Sequence, residues 1–299
     1  MDLDAPAPAP TVSLPHGKEH THTFIFLHGR GDTGSNFARC FARTRTWQNH
    51  SLQALFPSLK IIYPCAPVRK SSMLGGSPLN QWFDISSLAE PWRAMDQQVA
   101  GLKENVEMIQ TLVREEAAKV GIKNVIIGGL SQGCATALTA LLGLDVSDLE
   151  TEGQGALGGF IGIAGWLPQA KDIQNTAMSS ATTSDNGATH LQVGAARCVQ
   201  DTLSLPPSSK DGVSPSFVHT PCLLGHGTHD FKVVINHGET VRDMLKELGS
   251  DVTWTPYHEW GHWWKEPETM DDIAMFFTEK VGMVMVDPGQ AETDHVEFG

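Results

Sequence analysis

Six short apolar runs, at residues 23–27, 60–63, 125–128, 160–164, 221–224 and 252–257, are separated by longer segments of helical period. A strand covered on both faces reads as a continuous apolar run, and parallel strands need a long crossover, usually a helix. The alternation therefore predicts an α/β fold with a mostly parallel central sheet and helices on both faces. Between the second and third runs, Val99, Leu102, Val106, Ile109 and Val113 recur at spacings of three and four. Lys103, Glu104, Glu107, Arg114 and Glu115 lie off that stripe, as the solvated face of an amphipathic helix. Val241, Met244, Leu245 and Leu248 mark a second helix stopped by Gly249, and Met270, Ile273, Phe276 and Phe277 mark a last one.

The 299 residues, 40% hydrophobic and 18% charged, suffice for one sizeable core, expected over residues 22–284. Residues 1–21 are rich in Pro and Ala and are expected to be flexible, and 285–299 read as a C-terminal tail. From 167 to 216 the chain is rich in Ser, Thr, Asp, Gly and Pro, which predicts an irregular insertion or a lid. A formal charge of −13 excludes a nucleic-acid surface, since a negative field repels polyanions. The first twenty residues lack the apolar core of a secretion signal, and no apolar run is long enough to span a bilayer. Five scattered cysteines without CxxC spacing fit reduced thiols better than disulfides or a metal site, so the expected compartment is the cytoplasm.

The third run leads into Gly129-Leu130-Ser131-Gln132-Gly133 and then a helix-favouring segment. A G-x-S-x-G at a strand-to-helix turn is the pattern of a nucleophile elbow, in which the glycines permit close backbone packing and the turn holds the hydroxyl above the sheet. Serine needs a base within hydrogen-bond reach, itself oriented by a carboxylate. The fifth run ends in Gly225-His226-Gly227-Thr228-His229-Asp230 and the sixth in Tyr257-His258-Glu259-Trp260-Gly261-His262, both just beyond strand C-termini, where open α/β sheets carry their sites. Asp230 outranks Asp251, which precedes a strand, and Asp211, which lies in the irregular stretch. His262 outranks His258, His229 and the helical His237. The Gly-rich turn His28-Gly29-Arg30-Gly31 and the residue after the serine are expected to supply two oxyanion donors, the Arg30 and Gln132 amides. With no GxGxxG or GxxxxGK[ST], a phosphate site is disfavoured.

These segments together, FIFLHGRGDTG, YPCAPVR, WFDI, GLSQG, GHGTHD and the final Gly-His, resemble in order the phospholipase/carboxylesterase family that includes the acyl-protein thioesterases, and HGRGDTG resembles its fungal members. The resemblance implies the α/β-hydrolase fold and hydrolysis of carboxylic esters or thioesters through Ser131, Asp230 and His262, with no metal or organic cofactor. Substrates would be small-molecule or lipid acyl esters and thioesters, lysophospholipids or lipidated proteins. It also implies that Met73, Leu74, Trp82, Phe83 and Phe231 border the acyl-binding region, although core packing is an equal reading for Trp82 and Phe83. Apolar residues near the site fit either an acyl channel or a homodimer contact. Departures are Arg30, where animal thioesterases carry an apolar residue, which would set a cation at the mouth; Phe231 and Val234 where prolines commonly follow the acid; and the long stretch after Trp166. They weaken protein depalmitoylation relative to a general carboxylesterase. A non-catalytic small-molecule receptor is disfavoured because every expected role is present, and Cys134 inside the helix reads as a buried hydrophobe.

Overall fold

The computed structural model describes residues 7–17, 19–146, 148–149, 155–181, 187–207 and 214–288. Its strands are β1 (Thr11–Ser13), β2 (His22–Leu27), β3 (Leu59–Tyr63), β4 (Val68–Ser71), β5 (Ser77–Asn80), β6 (Val125–Leu130), β7 (Gly159–Ile163), β8 (Cys222–Gly227) and β9 (Val252–Tyr257). The helices are α1 (Gly34–Ala42), α2 (Leu52–Leu55), α3 (Met95–Val120), α4 (Gln132–Leu142), α5 (Ala170–Ala181), α6 (Gly187–Leu203), α7 (Ser216–His219), α8 (Ile235–Glu247) and α9 (Glu268–Glu279). Seven strands form one sheet in the order β1-β3-β2-β6-β7-β8-β9, parallel throughout except where β1 meets β3. This is the mostly parallel sheet that the alternation predicts, and all six runs lie in it.

Side chains alternate across each strand, so the sheet divides the core into two layers. Phe24, Phe26, Ile126, Ile161 and Leu223 face a layer closed by Phe37 and Phe41 of α1 and by Phe276 and Phe277 of α9. Ile25, Leu27, Ile127, Phe160 and Leu224 face the other, closed by Leu102, Val106 and Ile109 of α3, Leu138 of α4 and Val241 of α8. Truncating one such phenylalanine to Ala costs roughly 3–5 kcal/mol, because a rigid cavity is left behind. α3 stops where Gly121 takes φ 86, and α8 where Gly249 takes φ 87, conformations that only glycine adopts cheaply.

Three expectations are corrected. Within the segment expected to be flexible, Thr11–Ser13 pair antiparallel with Ile61–Tyr63 as an edge strand; too short to show a period, it is made by its partner. The 167–216 stretch is not irregular throughout. It holds α5 and α6, whose Ile173, Ala177, Ala195, Ala196 and Val199 are buried in the main core. Small residues let the two helices approach closely, since a Cβ on Gly194 would lie 2.5 Å from Ser180 Oγ, and they blur the apolar stripe that would have announced the helices. Asp211 lies outside the described residues. At the other end, the Val286 amide of the expected tail donates to Leu55 O at 2.9 Å, while 289–299 lie outside the described residues. No helix among the described residues is long and apolar enough to cross a membrane.

Candidate active site

Between β6 and α4 the chain reverses at Ser131, with φ 56 and ψ −120. That backbone is strained for any residue with a Cβ. The surroundings enforce it: the Ser131 amide donates to Ile163 O at 2.8 Å. A Cβ on Gly129 would lie 2.3 Å from the Gly133 carbonyl carbon, and one on Gly133 would lie 2.5 Å from both Leu27 O and His28 O. Both glycines of G-x-S-x-G are thus required by backbone contact, and they seat α4 against the end of β2.

The loops after β8 and β9 meet over this turn. A Cβ on Gly227 would lie 2.3 Å from Trp260 O, and the His229 amide donates to the same oxygen at 2.8 Å. This contact sets His262 between Ser131 and Asp230. Its Nδ1 lies 2.6 Å from Asp230 Oδ2, and its Nε2 lies 2.8 Å from Ser131 Oγ. A carboxylate only accepts, so Nδ1 carries the proton and Nε2 is left to accept from the serine hydroxyl.

Asp230 is buried, and its Oδ1 accepts from the Lys232 and Val233 amides, each at 2.9 Å. Burial disfavours its charge, but the donors from His226, His262 and the Val233 amide outweigh burial and hold the carboxyl well below the usual carboxylate range. His226 is itself buried, with Nε2 2.8 Å from Val233 O and 3.4 Å from Asp230 Oδ2. Because a carbonyl only accepts, that nitrogen carries a hydrogen.

On the other side, a Cβ on Gly29 would lie 3.6 Å from Ser131 Cβ, so the turn after β2 runs against the serine. The Arg30 and Gln132 amides have no acceptor among the described residues. The turn is pinned by buried His28, whose Nδ1 donates to Gly29 O at 2.7 Å and whose Nε2 accepts from the Ala66 amide at 3.0 Å. Burial lowers its pKa, outweighing the Gly29 carbonyl and Asp32, which favours this neutral tautomer.

The other sequence candidates separate. Trp82 and Phe83 are 0% exposed, which is the core packing that the sequence offers as the equal reading for them. Trp82 Nε1 donates to His28 O, the Gln132 side chain bonds both the Trp82 amide and Phe83 O, and Asn105 Nδ2 donates to Trp82 O. Met73 and Leu74 are exposed at the turn of the β4–β5 hairpin, and Phe231 is 89% exposed. The Arg30 guanidinium, expected at the mouth, folds back instead: it donates to Gln81 Oε1 at 2.9 Å and to Ser71 Oγ. His229 and His258 are exposed, and Asp251 pairs with Lys280 at 2.7 Å. Burial pushes the Cys134 thiol up to about 12, which leaves it unreactive. Among the described residues, no group of three or more His, Cys, Asp or Glu is arranged to hold a metal ion. His28, His226 and the Gln132 side chain were missed as supports; their only signal was polar residues at strand ends whose flanks are apolar.

The sequence matches the Phospholipase/Carboxylesterase family over residues 10–192. The chain belongs to this family. A match to the Prolyl oligopeptidase family covers the shorter stretch 166–283. Among curated members similar to the chain, acyl-protein thioesterase 1 of Yarrowia lipolytica is 31% identical over 84% of this chain and 88% of its own length. The protein of the same name from Gibberella zeae is 27% identical over 90% and 94%. Both are fungal, in keeping with the resemblance carried by HGRGDTG. The crystal structure of Zea mays acyl-protein thioesterase 2 superposes with a TM-score of 0.62 at 27% identity, covering 91% of this chain and 99% of that one. As a member of the phospholipase/carboxylesterase family with the α/β-hydrolase fold, the chain is a hydrolase.

Proposed function

We propose that the enzyme cleaves carboxylic esters or thioesters through an acyl-enzyme, with residues 22–284 and the edge strand Thr11–Ser13 as the catalytic unit. The observation that carries this reading is the unbroken relay from Ser131 Oγ to His262 Nε2 at 2.8 Å and from His262 Nδ1 to Asp230 Oδ2 at 2.6 Å. In the first half-reaction Nε2 takes the hydroxyl proton as Oγ bonds to the acyl carbon. The oxyanion is met by the two uncommitted amides of Arg30 and Gln132. Protonated His262, steadied by ionised Asp230, returns the proton to the departing alcohol or thiol. Water then enters, gives its proton to Nε2 and attacks the acyl-enzyme, and Ser131 leaves with that proton as the acid is released. A strained, fixed serine and pre-set amides lower the cost of reorganisation during each step.

Thioester cleavage on lipidated proteins is the second reading, favoured by the names of the relatives from Yarrowia lipolytica and Gibberella zeae. The test is initial rate on p-nitrophenyl esters from acetate to palmitate and on matched thioesters, with Ser131→Ala as blank. Turnover by the wild type alone supports the ester-hydrolase reading; equal rates in the two proteins overturn it. Faster thioester cleavage that grows with chain length supports the second.

A further inference from the structure

Arg30 and Gln132, whose amides are assigned to the oxyanion, sit on different turns, one after β2 and one opening α4. Both are fastened by their side chains to one short stretch, Asn80 to Phe83, where the chain leaves the β4–β5 hairpin. Gln132 Oε1 accepts from the Trp82 amide at 3.0 Å, and its Nε2 donates to Phe83 O at 2.7 Å. Arg30 Nε donates to Gln81 Oε1 at 2.9 Å, and the next residue, Gly31, donates through its amide to Asn80 O at 2.7 Å. Trp82 Nε1 donates to His28 O at 2.8 Å, so the same stretch also holds the start of the first turn.

The stretch is fixed from its other side. Gln81, Trp82 and Phe83 are fully buried. Gln81 Nε2 donates to Lys70 O at 2.9 Å and to Asp84 Oδ1 at 3.2 Å, which leaves Oε1 to meet the guanidinium. Asp84 Oδ1 also accepts from the Ser72 and Ile85 amides, each at 3.0 Å. Arg30 Nη2 adds a bond to buried Ser71 Oγ at the end of β4. Burial opposes the Arg30 charge, and Asp84 offsets part of that cost. A planar guanidinium held at two of its nitrogens fixes direction as well as distance, which an ammonium does not.

Arg30 stands between Gly29 and Gly31, and Gly31 takes φ 86. Glycines leave the backbone of this turn free, so the placing of the Arg30 amide falls to tethers beside it. Placing matters because an oxyanion donor acts only at roughly 2.7–3.1 Å from the developing charge. We propose that the Asn80–Phe83 stretch sets the spacing of the two oxyanion amides, with Arg30 as the positioning residue whose side chain ties the first amide to it. The inference rests on the ester-hydrolase reading of Ser131 and on the assignment of these two amides.

The test is steady-state hydrolysis of p-nitrophenyl butyrate by Arg30→Met, which keeps an unbranched stem and loses both bonds, and by Arg30→Lys. Arg30→Met is expected to lower kcat at least about tenfold while KM changes less than about twofold, since a misplaced oxyanion donor weakens only the transition state. Arg30→Lys recovers part of the loss. Adding Gln81→Met to Arg30→Met costs little more, because the tether is already cut. Unchanged kcat, a rise in KM alone, or additive losses overturn the inference. Should Arg30→Met fail to fold, Ser71→Ala removes one acceptor without adding bulk; a smaller loss of kcat at constant KM supports the inference, and wild-type kinetics overturn it. A second readout is the pair of amide resonances after diethyl p-nitrophenyl phosphate has reacted at Ser131, Oγ bonding to phosphorus as p-nitrophenolate leaves. In the wild type both amides move downfield toward the phosphoryl oxygen; in Arg30→Met the residue-30 amide loses that shift and the Gln132 amide keeps it. Loss or retention of both shifts together overturns the inference. A wild type that neither turns over the ester nor reacts at Ser131 overturns the hydrolase reading and this inference with it, whereas an active wild type matched by Arg30→Met overturns the inference alone.

Discussion

Around Asp230 both carboxylate oxygens are engaged, Oδ1 by two backbone amides and Oδ2 by His262 with His226 close by. Outside the relay, the buried Trp166 Nε1 and His237 Nε2 have no hydrogen-bond partner among the described residues. The first arrangement is complete without substrate and is fixed by strand ends and glycine contacts. The second belongs to side chains on a loop and a helix that no strand end or glycine contact fixes in the same way. Pairing of both carboxylate oxygens preorganises chemistry, and the unpaired atoms add no such order.

The comparison breaks most visibly on the paired side. Ser131→Ala and His262→Ala are each expected to lower kcat by roughly 10⁴ to 10⁶, and the double variant should lose little more, because the residues act as a unit. Additive losses in steady-state kinetics would show that the relay does not work as one device. Next in size is Gly227→Ala. Its methyl group would lie 2.3 Å from Trp260 O, so the loop carrying His262 must shift, and a displacement near 1 Å costs on the order of 10² in kcat/KM. Wild-type rates in a folded Gly227→Ala protein would mean that this contact does not set the histidine.

Smaller effects sharpen the contrast through stability. Glu116 is buried on α3 beside Thr23 of β2 and Lys60 of β3, and burial opposes its charge. Bonds from Lys119, Lys60 and Thr23 outweigh burial and bring its pKa to about 2 from an ordinary 4.5. A depressed carboxylate contributes stability above its unfolded pKa and loses it as pH falls toward the folded one. Glu116→Gln should therefore cost about 1–2 kcal/mol in urea unfolding at neutral pH, with the gap to wild type closing between pH 4.5 and 2.

The same contrast explains what the sequence disclosed. Phe24 to Leu27 and Val125 to Ile127 announce buried strands because every residue in them is apolar, and Gly129, Gly133 and Gly227 announce contacts that leave no room for a Cβ. That Ser131, Asp230 and His262 would lie at neighbouring turns was legible for that reason, and the structure brings them within hydrogen-bond reach. Pairwise relations were not: nothing local shows that Thr11 to Ser13 will find β3, that Gln132 will clasp the Trp82–Phe83 segment, or that His226 will lie beside Asp230. Helices α5 and α6 hid behind Ser, Thr and Gly, whose small side chains pack closely without an apolar period.

The two ends of the sheet bear on self-association. One edge strand, β1, is only three residues long. The other, β9, carries Pro256, which offers no N–H to an incoming strand and interrupts a template for cross-chain pairing. Growth of the seven-stranded sheet from molecule to molecule is thereby discouraged at both margins, which favours side-chain surfaces for any pairing of two copies, where single substitutions can tune or abolish it without touching that sheet.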